Sequence, residues 1–155
     1  MNATVMGSPA GVIKGALRDD LASIRWLLGL HACMLLPFDD VNEASLEHFL
    51  VYRDGIGVAG VVGLDRHEDV APLRSLVVAD GHVRQGLGRK LVAAAEEQAK
   101  KLELRAIYLL TTSAQAYFDV IGFRSVSREG APPEIRQCSQ FSALYPSTSV
   151  LMVKP

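Results

Sequence analysis

Apolar and polar positions along the chain sort into short alternating runs and two longer helical stretches. Val12 to Leu17 alternates as an edge strand does, and Asp19-Asp20 then offers a cap to a helix whose apolar face is Leu21, Ile24 and Leu28, at i, i+3 and i+7. Pro37 breaks the pattern within Leu35 to Asp40, before a short helix from Ala44 to His48. Phe49 to Arg53 and Val58 to Leu64 are apolar runs joined by Asp54-Gly55, which predicts a hairpin. A third run, Val70 to Val78, follows the polar link Asp65 to Asp69. From Leu87 to Leu102 the period becomes helical. Leu87, Leu91, Ala95, Ala99 and Leu102 share one face, with Glu96/Lys100 and Glu97/Lys101 as i,i+4 pairs on the solvated side. Ala106 to Leu110 reads as a buried strand, Ala114 to Val120 as a short helix and Val150 to Lys154 as a closing strand. Residues 1–10 read as a flexible tail and 11–155 as one domain.

Composition narrows the classes. The 155 residues are 49% hydrophobic and 21% charged, which is ordinary globular composition with room for a sizeable core. A net charge of −1 supplies no global basic field for nucleic acid or an anionic membrane. No run approaches the ~18 apolar residues of a membrane span, and the N-terminus lacks the charged and apolar regions of an export signal. Cys33 and Cys138 lie far apart with no CxxC or Cys/His cluster. That fits a reduced cytoplasmic setting with no metal site, and each thiol reads as a small buried hydrophobe.

The stretch Leu73 to Gly88, LRSLVVADGHVRQGLG, carries the clearest chemistry. An apolar strand runs into a glycine-spaced turn that opens into a helix, the layout of a phosphate cradle. Gly86 and Gly88 remove Cβ atoms where backbone approaches a ligand, and Arg84, Arg89 and Lys90 add positive charge. A dinucleotide fingerprint would need glycine where Leu91 stands, and a Walker loop would need Lys-Ser/Thr where Arg89-Lys90 stands. A plain strand-turn-helix with packing glycines remains open on this loop alone.

Two motifs in order resemble one family. Val83-Arg84-Gln85-Gly86-Leu87-Gly88 resembles the pyrophosphate loop of the GNAT (GCN5-related) N-acetyltransferases, departing from it at Val83. Thr111-x-x-Ala114-x-x-Tyr117-Phe118-x-x-x-Gly122-Phe123 resembles that family's second signature, with Thr111 for its usual Asn and the hydroxyl at Tyr117 in place of position 118. One helical residue is ~100° of rotation, so Tyr117 does not inherit the proton-donor role by default. The resemblance implies an α/β fold of mixed α+β character, a mostly antiparallel splayed sheet flanked by helices. It also implies acetyl-CoA as cosubstrate, lying between the strand ending at Val78 and the strand ending at Leu110. The implied cofactor contacts are Leu76, Val77 and Val78, then Arg84, Gln85, Gly86, Leu87, Gly88 and Arg89, and then Thr111, Ala114, Tyr117 and Phe118. The segments Pro133 to Arg136 and Gln140 to Ser147, with the Leu73-to-Leu76 and Leu109-to-Thr112 strings, resemble a subgroup found with arsenic-resistance determinants, relatives of enzymes that acetylate arsinothricin.

Acetyl transfer needs a neutral amine, a polarised carbonyl and a protonated leaving thiolate. An α-amino group titrates near ~7.7 to 8.0 and a thiol near ~8.5, so an amino-acid acceptor needs no strong base and the thiolate leaves tolerably. Tyr117 and Glu68 are the candidates for proton transfer, Glu68 sitting in the His67-Glu68-Asp69 link, whose three polar residues are more often just solvated. A backbone N–H near Leu76 or Val77 would polarise the carbonyl. Arg74 and Arg136 are forked donors suited to an acceptor's carboxylate or another oxyanion. The implied function is N-acetylation of a small anionic amino acid or analogue, arsenic- or phosphorus-containing ones included, by direct attack in a ternary complex. The alternative is a non-catalytic acetyl-CoA-binding sensor or partner module, favoured by Val83 and the displaced Tyr117. The expected partner is a small-molecule amine acceptor, with no nucleic acid or membrane and a homodimer left open.

Overall fold

Seven strands line up in the order β1-β2-β3-β4-β5-β7-β6. They are β1 (Val12–Gly15), β2 (Phe49–Arg53), β3 (Val58–Leu64), β4 (Val70–Val78), β5 (Ala106–Thr111), β6 (Arg124–Val126) and β7 (Val150–Lys154). The helices are α1 (Leu21–Leu30), α2 (Leu87–Lys101), α3 (Gln115–Val120) and α4 (Pro133–Arg136). The structure, a computed structural model, describes residues 12–30, 43–55, 57–79, 86–111, 114–137 and 149–155. The expected tail, the break at Pro37, both cysteines and the Gln140 to Ser147 segment lie outside the described residues. The β4–β5 pair is parallel and the pairs β1–β2, β2–β3, β5–β7 and β6–β7 are antiparallel, so the sheet is mixed and mainly antiparallel as expected.

Backbone proximity divides the chain into two compact units. The first comprises residues 1–63 and 75–95. Its core joins Ile24, Leu27 and Leu28 of α1 to Phe49, Val51, Val61 and Val77, with Leu46 from the 3₁₀ turn Glu43–His48. Leu27 thus joins the face expected from Leu21, Ile24 and Leu28. The Asp54-Gly55 hairpin is present, with Arg53 opposite Val58, Gly55 at φ 97° and the Gly57 N–H donating to Asp54 Oδ1 at 3.0 Å. Gly60 of β3 lets α2 lie close, since a Cβ there would stand 2.9 Å from Leu91 Cδ1. Asp20 departs from the expected cap. It ends a 3₁₀ turn, Arg18–Asp20, and its carboxylate reaches back to accept the Leu17 N–H at 2.7 Å while accepting also from Arg53 Nε and Nη2. The buried carboxylate found two donors already aimed at it.

The second unit comprises residues 64–74 and 96–155. Val70, Ala106, Leu110, Leu151 and Val153 of its strands meet Ala131 and Ile135. The elements β6, α4 and the 3₁₀ turn Arg128–Gly130 go beyond the run-by-run expectation, because each is three or four residues long and mostly exposed. The expected i,i+4 charge pairs of α2 are corrected as well. Lys100 pairs instead with Glu97 at 3.6 Å, and Glu96 takes Lys154 at 2.6 Å. Lys154 also donates to the Ile121 carbonyl at 2.9 Å, lying over Gly122, whose φ of 105° permits the turn out of α3. A half-buried ammonium between a helix-end carbonyl and a carboxylate gains more than an exposed pair along one helix.

Candidate active site

Strand β4 is irregular where the expected carbonyl donor lies. The Asp65 N–H donates to the Pro72 carbonyl at 3.1 Å and the Ala79 N–H to the Ala59 carbonyl at 2.8 Å. Ala59 to Asp65 is six residues and Pro72 to Ala79 is seven, so β4 carries one residue more than β3. The extra residue is Ser75, buried and left-handed at φ 57°. A single non-glycine residue in that region costs about 1–3 kcal/mol and marks a bulge, which re-aims the peptide that follows it. That peptide carries the Leu76 N–H. Pairing with β5 covers only Val70, Ala71 and Pro72, opposite Ala106, Ile107 and Tyr108.

Arg74 immediately precedes the bulge. Its side chain is 3% exposed, with Nη1 3.2 Å from Asp65 Oδ2, so an acceptor anion would share the guanidinium with that carboxylate. Arg136 ends α4 exposed.

The turn into α2 is described from Gly86 onward, so Val83, Arg84 and Gln85 lie outside the described residues. Gly86 has φ 77° and no neighbour within 4 Å of an added Cβ, and its carbonyl accepts the Lys90 N–H at 3.1 Å. The amides of Leu87, Gly88 and Arg89 are therefore the first-turn donors of a 15-residue helix, lacking acceptors within the helix itself. Leu87 is buried, and Arg89 and Lys90 are exposed beside those amides. Electrostatically this end suits an anion.

In the second unit, Thr111 closes the start of α3 by accepting the Ala114 N–H on Oγ1 at 2.9 Å. Thr111 is buried, and its Oγ1 still has an O–H to donate. Phe118 is 7% exposed and stacks edge-on with Phe123 at 5.6 Å, whereas Tyr117 is 38% exposed and meets Phe118 edge-on at 5.1 Å. The aromatic at the family's tyrosine position is thus an apolar anchor. Glu68 stands at φ 60° in the hairpin link, exposed, and its carbonyl accepts from Arg66 Nε at 3.1 Å. With Arg66, Asp69 and Glu134 it lines an open cleft of about 620 Å³. Asp69 hydrogen-bonds Arg105 at 2.9 and 3.3 Å, and that bond holds its carboxyl below the usual carboxylate range. Asp69 is therefore a poor base. Among the described residues no group of His, Cys, Asp and Glu could hold a metal, and no helix is long and apolar enough to cross a membrane.

Comparison with known proteins matches this geometry to one family. The model of the acetyltransferase (GNAT) family matches residues 15–123. No curated protein sequence matches the chain. Among solved structures, N-acetylglutamate synthase from Neisseria gonorrhoeae, complexed with coenzyme A and N-acetyl-glutamate, is similar at TM-score 0.83 and 18% identity. That match covers 98% of this chain and 37% of the synthase, so the chain spans little over a third of that relative. A Mycobacterium tuberculosis protein in complex with CoA has TM-score 0.78 at 18% identity, over 92% of this chain and 97% of its own. An acetyltransferase of the GNAT family from Staphylococcus aureus Mu50 has TM-score 0.74 at 18% identity, over 94% and 98%. The chain belongs to the GNAT acetyltransferase family.

Proposed function

We propose that the protein transfers the acetyl group of acetyl-CoA to the amine of a small anionic amino acid or analogue within a ternary complex. The observation that supports this reading is the Ser75 bulge, because the peptide that follows it carries the Leu76 N–H, the candidate donor for a thioester oxygen. The cofactor's pyrophosphate is assigned to the turn from Arg84 to Arg89. Its pantetheine is assigned to the backbone of Leu76, Val77 and Val78, by the chemistry of strand addition. Thr111, Ala114, Tyr117 and Phe118 complete the assignment through the family motif. The amine lone pair attacks the carbonyl carbon, the C–S bond breaks, and the thiolate takes the proton the amine gives up. A thiol titrating near ~8.5 makes a dedicated acid dispensable.

Support for an anionic acceptor comes from exposed Arg136 and from the N-acetyl-glutamate bound by the synthase whose fold this chain shares. The arsenic- or phosphorus-containing acceptor rests on the resemblance of Pro133 to Arg136 and Gln140 to Ser147 alone. Thiol release measured with acetyl-CoA and a panel of glutamate, glutamine, arsinothricin, phosphinothricin and a polyamine tests the reading, with turnover expected for the anionic members. Turnover of the polyamine alone would overturn the acceptor class. The sensor reading is favoured by the burial of Phe118 at the family's tyrosine position, and tight acetyl-CoA binding with no thiol release from any amine would establish it. Gly86→Asp places a side chain and a negative charge in a left-handed position at the helix start, so its affinity for CoA in calorimetry should fall at least about tenfold. Unchanged affinity would move the pyrophosphate elsewhere.

A further inference from the structure

We propose that the Asp65–Arg74 ion pair is a positioning pair: it holds β4 immediately before the Ser75 bulge and so keeps the Leu76 N–H aimed at the thioester carbonyl oxygen. The inference rests on the acetyl-transfer reading and adds residues to it.

Asp65 grips β4 at two points. Its backbone N–H donates to the Pro72 carbonyl at 3.1 Å, and its Oδ2 accepts from Arg74 Nη1 at 3.2 Å. Residues 72 and 74 are therefore both referred to the end of β3, one residue past Leu64. Ladder pairing with β5 extends no further along β4 than Pro72, opposite Tyr108. The ion pair is a fixed point beyond it, one residue before the chain enters the left-handed conformation at Ser75. Bulges tend to slide by a residue when nothing pins them, and a slide here would return the Leu76 N–H to the ladder.

The burial of the pair points the same way. Arg74 is 3% exposed at its side chain and Asp65 21%. A buried ion pair is weak support for stability, since a well-packed apolar residue of similar volume commonly does as well or better. Geometry is what a charged pair fixes better than an apolar one, because the Arg74 Nη1–H must point at Asp65 Oδ2 to donate to it.

Three variants test this: Asp65→Asn, Arg74→Met and Arg74→Lys. Three readouts separate a positioning role from a structural one: acetyl-CoA affinity by calorimetry, kcat and KM for the acceptor, and the difference in the Leu76 amide resonance between the CoA and acetyl-CoA complexes. In the unaltered protein the acetyl group should shift that amide downfield. Asp65→Asn and Arg74→Met should lose the shift and at least about tenfold in kcat, with affinity and acceptor KM held within about twofold. Arg74→Lys should recover part of both, because it restores charge without the fork. If Arg74→Met fails to fold, the other two variants carry the same readouts. Variants that melt earlier yet keep kcat and the Leu76 shift overturn the proposal, as does an unaltered protein whose Leu76 amide ignores the acetyl group. An unaltered protein that shows the Leu76 shift but releases thiol with no amine overturns the transfer reading instead, and the shift in the variants then decides the role of the pair.

Discussion

Tyr117 and Phe118 stand where the family motif has its aromatic pair, with the hydroxyl one residue early. Phe118 is buried against Phe123, and Tyr117 is 38% exposed. Tyr117→Phe should therefore cost less than the ~10²-fold expected when a general acid is lost, as steady-state kcat will show. A larger drop with an unchanged fold would make Tyr117 the acid. Asp69 offers a pH test. Its carboxyl is held below the usual range by the Arg105 hydrogen bond, so it binds protons less readily folded than unfolded. Whatever the pair adds to stability is present above the unfolded value near ~3.9 and is lost as pH falls through the lower folded value. The melting temperatures of the unaltered protein and Asp69→Asn should thus differ by a constant amount at neutral pH and converge in strong acid, the gap narrowing with salt. At this scale the sequence was legible for Phe118, where a one-residue displacement of a motif is visible in the string. Arg74 was not legible, because its partner Asp65 lies nine residues upstream and only the β3–β4 register brings the two together.

The runs read from periodicity alone became β2, β3, β4 and α2 with ends shifted by no more than a residue, because each has a buried apolar face long enough to display its period. β6 and α4 escaped that reading for the opposite reason. A three-residue edge strand and a single helical turn bury too little to leave a pattern, and their places come from pairing with β7 and from Ile135 in the core. Asp20 belongs at this scale, since its carboxylate ties the Leu17 N–H at the exit from β1 to the Arg53 side chain of β2. Asp20→Asn keeps the shape and loses the charge, and should lower unfolding free energy by about 1.5–3 kcal/mol in denaturant titration. A loss under about 0.5 kcal/mol would mean that the buried carboxylate contributes no more than an exposed pair does.

Over the whole molecule the mixed sheet was legible from the order of the runs, and the glycine-spaced entry to α2 from the string itself. The acceptor's environment was not, because an exposed cation and one buried against the fold look alike in a string, as Arg136 and Arg74 do. The register of β4 has an unusual corollary for chain length. Without Ser75 the two strands would match residue for residue, from Asp65 opposite Pro72 through to Ala59 opposite Ala79. Shortening a buried strand by one residue ordinarily sends every side chain beyond the cut to the wrong face. Here the shorter protein has the more regular ladder and no left-handed residue in it. Deleting Ser75 should therefore leave the melting temperature unchanged or raised while abolishing thiol release.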